Sequence, residues 1–112
     1  MNNEEKAQNA YYEALKGINI KENEKIVLKC KTRWSYYFAL YVPGADIKAH
    51  EQIILELKNP QYSYWFAKDT LEANIEEHFK IVYNSGDKDC LEYFIKFVNY
   101  KGTKVEEWLL YI

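Results

Sequence analysis

Tyr36-Tyr37-Phe38-Ala39 returns as Tyr64-Trp65-Phe66-Ala67, 28 positions further on, and this repetition decides how the rest of the chain is read. A second motif follows each copy at the same distance. Ala45-Asp46-Ile47, then His50, becomes Ala73-Asn74-Ile75, then His78. A fixed period of this size is the mark of a repeat array, in which each unit is too small to bury its own apolar face. Working outward, the central aromatic recurs as Tyr11, Phe38, Phe66 and Phe94, in steps of 27, 28 and 28. A branched residue recurs as Ile20, Ile47, Ile75 and Val105; its last step is 30, so the fourth unit has two extra residues around Tyr100 to Thr103. Four units, at about 4–31, 32–58, 59–84 and 85–112, fill the length.

Each unit reads as two helices. Behind the branched residue of the second unit, Ile47, Ile53, Ile54 and Leu57 cluster on one face at 100° per residue. Strand alternation would place Ile53 and Ile54 on opposite faces. Short polar residues that accept from exposed N–H groups stand near the starts: Asn19, Asp46, Asn74 and Thr103. Asn59-Pro60 supplies a cap followed by proline at the first helical position, and Ser85-Gly86-Asp87 ends one helix and caps the next. The expected helices are about 4–16, 20–31, 33–42, 47–58, 60–71, 75–84, 88–100 and 104–112. The fold class expected is therefore all-α: four tandem helix-turn-helix repeats of about 27–28 residues stacked as a short right-handed solenoid in one domain, 1–112.

Composition narrows the function classes. At 112 residues the chain needs no disulfide or metal staple, and a net charge of −2 argues against steering toward phosphate or anionic lipid. Cys30 and Cys90 form neither a redox pair motif nor a metal-ligand spacing. Met1 to Lys6 is polar and acidic, unlike a signal peptide. No apolar run approaches the ~20 residues of a membrane span, so the cytosol is the expected compartment.

The layout resembles helix-turn-helix solenoids of the tetratricopeptide kind, with a period shorter than that family's usual length and without its Trp/Leu-Gly/Tyr signature. Tyr37-Phe38-Ala39 with Gly44-Ala45-Asp46-Ile47, repeated in Trp65-Phe66-Ala67 with Ala73-Asn74-Ile75, is also similar to short arrays in uncharacterised bacterial and phage-related proteins. Such a resemblance implies an architecture and no activity.

Candidate functional residues are weighed on this register. His50 and His78 share one repeat position, filled by Asn23 and Trp108 in the outer units. A metal shared by two imidazoles lacks further ligands. A ladder of buried N–H donors, each serving a neighbouring backbone carbonyl, accounts for Asn, His and Trp alike. No glycine-rich phosphate loop, nucleophile elbow or paired-cysteine motif supports catalysis, and no cofactor or metal is implied.

The aromatics are more informative: eleven of the nineteen are tyrosines. Trp34, Phe38, Ala39 and Val42 form a core stripe, as do Tyr62, Phe66, Ala67 and Thr70. Tyr36 and Tyr64 point away from it and are expected to be exposed, while Tyr37, Tyr41 and Trp65 flank it. First helices commonly line the concave face of such arrays, and tyrosine and tryptophan are enriched at binding hot spots. Tyr36, Tyr37, Tyr41, Tyr64 and Trp65 are thus the candidate partner-binding residues. The function expected is a non-enzymatic protein-protein interaction module. The alternative is a stand-alone inhibitor of a bacterial defence nuclease, phage-encoded and anti-CRISPR-like, acting by protein contact. Nucleic acid is not an expected partner, because the basic run Lys29 to Arg33 is short and sits at a helix junction. Trp108, Leu110 and Tyr111 make the last helix unusually apolar for an array end, so either that end self-associates or the partner covers it.

Overall fold

A computed structural model of the protein describes residues 1–101. They form seven α-helices, with no strand among them: α1 (Asn3–Leu15), α2 (Ile20–Cys30), α3 (Trp34–Tyr41), α4 (Ile47–Leu57), α5 (Pro60–Asp69), α6 (Ile75–Ser85) and α7 (Lys88–Tyr100). The chain divides into two compact units, Met1–Leu57 and Lys58–Ile112. The expected helix at 104–112, with Thr103 and the apolar trio Trp108, Leu110 and Tyr111, lies outside the described residues.

In the first unit α1 pairs with α2 and α3 with α4, α3 lies beside α1, and α4 touches α2. In the second unit α5 pairs with α6, and α7 packs on both. The central aromatics set this arrangement. Tyr11 is buried, and Phe38, Phe66 and Phe94 are wholly so. Phe38 stacks on His50 at 5.0 Å and 25°, and Phe66 on His78 at 5.2 Å and 27°. The α3–α4 and α5–α6 hairpins therefore each contain the same kind of ring-on-ring core pair. Val27, Ile54 and Val82, which hold one register position on the second helices, are also fully buried.

Helix starts follow the local chemistry, with one exception. The Asn59 side chain accepts from Gln61 N and Tyr62 N, Asn74 from Glu77 N and Asp87 from Cys90 N. Asp46 accepts from Ala49 N. Asn19 makes no side-chain cap; its backbone is left-handed (φ 45°), two residues after Gly17 (φ 79°) has turned the chain. Gly86 takes the left-handed conformation (φ 79°) that ends α6. Asn59→Ala is expected to lower stability by about 1 kcal/mol, read as a shift in the urea midpoint, since two N–H groups lose their acceptor.

The basic run is a structural junction. Lys31 is left-handed (φ 53°), and Glu4 Oε1 receives Arg33 Nε at 2.7 Å and Trp34 Nε1 at 2.9 Å. No helix among the described residues is long and apolar enough to cross a membrane.

Candidate functional site

The repeated polar position behaves differently in α2 and in α4. Asn23, 4% exposed, donates to the Ile18 carbonyl at 2.9 Å and to Glu13 Oε2 at 3.2 Å. His50, fully buried, bonds not to a carbonyl but to a carboxylate: its Nε2 lies 2.9 Å from Glu24 Oε2. The expectation of a backbone acceptor is corrected there, because α4 lies against α2 and brings the carboxylate within reach. The same Glu24 oxygen accepts from Asp46 N at 2.8 Å, so one side chain of α2 ties both the entry and the first turn of α4. Nε2 donating fixes Nδ1 as the unprotonated nitrogen, and Nδ1 has no hydrogen-bond partner among the described residues. Burial pushes the His50 pKa down; the Glu24 bond and the charges of Glu24 and Asp46 pull it up by less. The ring is neutral at pH 7. Among the described residues no group of three metal-ligating side chains comes together.

The five aromatic candidates separate. Tyr36, expected at the surface, is 7% exposed and buried. The buried residues of α3 (Trp34, Ser35, Tyr36, Phe38 and Ala39) span an arc of roughly 200°, wider than the stripe one partner helix covers. Tyr64, at the same register position, is also not freely exposed but half-buried. Its cause is visible in the second unit. There, position −2 of α5 lies against α7, so Tyr64 packs on Tyr93 (6.4 Å, 27°) and Phe94 (5.9 Å, 52°). An exposure reading that counted only the partner within a hairpin misses this. Tyr37 is half-buried in a ring cluster with Tyr11, Trp34 and Tyr36. Burial, then the nearby Tyr41 and Tyr12 hydroxyls, raise the Tyr11 pKa, so that ring stays neutral. Tyr41 is 58% exposed. Trp65 is half-buried, edge-on to Tyr62 at 5.3 Å.

Two of the five, Tyr64 and Trp65, meet in a concavity. A groove of about 420 Å³ between α5 and α7 is lined by Gln61, Tyr64, Trp65, Asp87, Asp89, Cys90 and Tyr93. Tyr93 is 56% exposed and holds the register position of Tyr37 and Trp65, so its presence was legible in the repeat. Asp87 and Asp89 enter because α7 starts at this edge, which requires acceptors and tolerates negative charge. That signal was read as a cap alone. Burial, followed by Asp87 and Asp89, raises the Cys90 pKa and keeps the thiol protonated.

A larger hollow of about 610 Å³ lies between α1 and α2, lined by polar Asn3, Lys6, Asn9, Glu13, Asn23 and Lys29 and by apolar Met1, Ala10, Ile26 and Cys30. It has no aromatic wall, and Asn23 is already committed to Ile18 and Glu13. The α5–α7 groove has the rings that confer contact energy and is the better candidate.

Compared with known protein families, curated proteins and solved structures, the chain shows no match.

Proposed function

We propose that this chain is a non-enzymatic interaction module of the cytosol, a short right-handed stack of four helical hairpins of the tetratricopeptide-like kind. Its protein partner docks on the aromatic groove between α5 and α7. The Phe38–His50 and Phe66–His78 pairs support the stack, because the same two register positions stack ring on ring in both hairpins. The observation that carries the binding role is the groove itself, where Tyr64, Trp65 and Tyr93 border one concavity. Large rigid rings give contact area with little rotamer entropy to lose, and their polar tips suit a surface that is wet when unoccupied. Tyr41 adds an exposed ring on α3. Tyr36 is no longer among the contact residues, since it is buried.

The test is quantitative capture of partners from the native host by wild type, Trp65→Ala and Tyr83→Ala. Tyr83 is an exposed tyrosine on a second helix, outside the groove. A partner retained by Tyr83→Ala and lost with Trp65→Ala is the expected result. Equal recovery by all three overturns the groove as the docking site.

A further inference from the structure

We infer that the α5–α7 groove receives an arginine side chain carried by the partner protein. This rests on the interaction-module reading and specifies the chemistry that the groove selects.

The groove combines aromatic rings with a small net negative charge at one edge. Tyr64 and Tyr93 stack within 27° of parallel, and Trp65 extends the aromatic wall. Planar cations gain on such surfaces from dispersion and from the ring quadrupole. The chain itself uses this attraction at the rim: Lys68 Nζ lies 5.5 Å from the Tyr64 ring centre and Lys96 Nζ 6.0 Å from that of Tyr93. Those lysines do not cancel the groove's charge, because each has a carboxylate of its own, Asp69 at 3.8 Å and Glu92 at 3.2 Å.

Asp87 and Asp89 differ in this respect. Neither has an ion-pair partner among the described residues. Asp87 accepts from Cys90 N and also bonds the Cys90 thiol, whereas the Asp89 carboxylate makes no hydrogen bond among the described residues and is the one open to a ligand. The N-terminus of α7 offsets about half a unit charge and Lys88, between the two aspartates, offsets one more, so this edge of the groove keeps a small net negative charge. Their field reaches the groove wall, where both raise the Cys90 pKa.

Arginine fits better than lysine. A guanidinium can lie flat on a tyrosine or tryptophan while its fork of N–H groups reaches a carboxylate, whereas an ammonium is a compact, strongly hydrated point charge.

The full-length protein, with 13C-labelled aromatic side chains, is titrated with Nα-acetyl-arginine methylamide and its lysine and citrulline counterparts, followed by NMR. Citrulline keeps the planar shape without the charge. Arginine is expected to shift the Tyr64, Trp65 and Tyr93 ring signals saturably, with citrulline about three- to tenfold weaker. In Asp87→Asn/Asp89→Asn that preference should vanish. Asn caps a helix as well as Asp, so α7 keeps its start, and an unchanged circular dichroism spectrum verifies it. Citrulline binding as tightly as arginine, or arginine shifts that bypass all three rings, overturns the inference. The capture experiment with Trp65→Ala decides the interaction-module reading separately, because partners held by purely apolar contact would still depend on Trp65.

Discussion

Phe38→Ala is expected to reduce the free energy of unfolding by about 3–5 kcal/mol, the largest effect of any single truncation in the first unit. Phe38 has no exposed surface, lies flat on His50 and approaches Tyr11 at 6.5 Å. Removing its ring deletes apolar contact on both sides and leaves a void between helices whose backbones are held apart by other rings. Tyr11, Trp34 and Tyr37 cannot slide in, since each already packs against another member of that cluster. A domain of this size has about 5–15 kcal/mol in hand, so the variant should be substantially unfolded near its growth temperature. Tyr41→Ala, at an exposed site on the same helix, should change stability by no more than about 0.5 kcal/mol. Urea titration of both variants tests the contrast, and a Phe38→Ala loss below that of Tyr41→Ala would remove the central ring from its assigned role.

The second large effect concerns His50 and is visible in its pH dependence. Replacing His50 by Leu takes away the donor to Glu24 and leaves a largely buried carboxylate held by Asp46 N alone, at an expected cost of about 1–3 kcal/mol. Acidification acts through the same ring. The unfolded chain takes up a proton at the ordinary histidine value of about 6.5, whereas the folded ring, its pKa lowered chiefly by burial, resists. Over that interval the unfolded state binds more protons, so stability present above about pH 6.5 is lost as the pH falls toward the folded pKa. His50→Gln keeps an N–H donor and does not titrate. It should be less stable than wild type at pH 7.5 through the lost stacking on Phe38, and the gap should narrow toward pH 5.5. Parallel slopes for the two proteins would show that His50 contributes nothing to the pH dependence.

Much of this was legible from spacing. The seven described helices begin within one residue of their expected starts, because polar caps, proline at position 60 and the 27- to 28-residue register act over a few residues of chain. The buried positions Phe38, Phe66, His50 and His78 also followed from the register. The burial of the two position −2 tyrosines was not legible. Tyr36 and Tyr64 sit on the polar side of an isolated helix, yet Tyr64 meets α7 and Tyr36 is buried. Glu24 gave no sign of its role, since nothing in Ile20 to Cys30 distinguishes a carboxylate that will meet an imidazole 26 residues later. Asn19 carried a capping residue type in a place where the preceding turn had already imposed a left-handed backbone.

The bonds from Glu4 to Trp34 and from Glu24 to His50 span 30 and 26 positions. Loop-closure entropy grows only logarithmically with such distances, and short average separations accompany rapid barrier crossing. In the first unit a nascent chain thus secures the α3–α4 hairpin to the α1–α2 hairpin soon after it leaves the ribosome, without waiting for the far end to be synthesised.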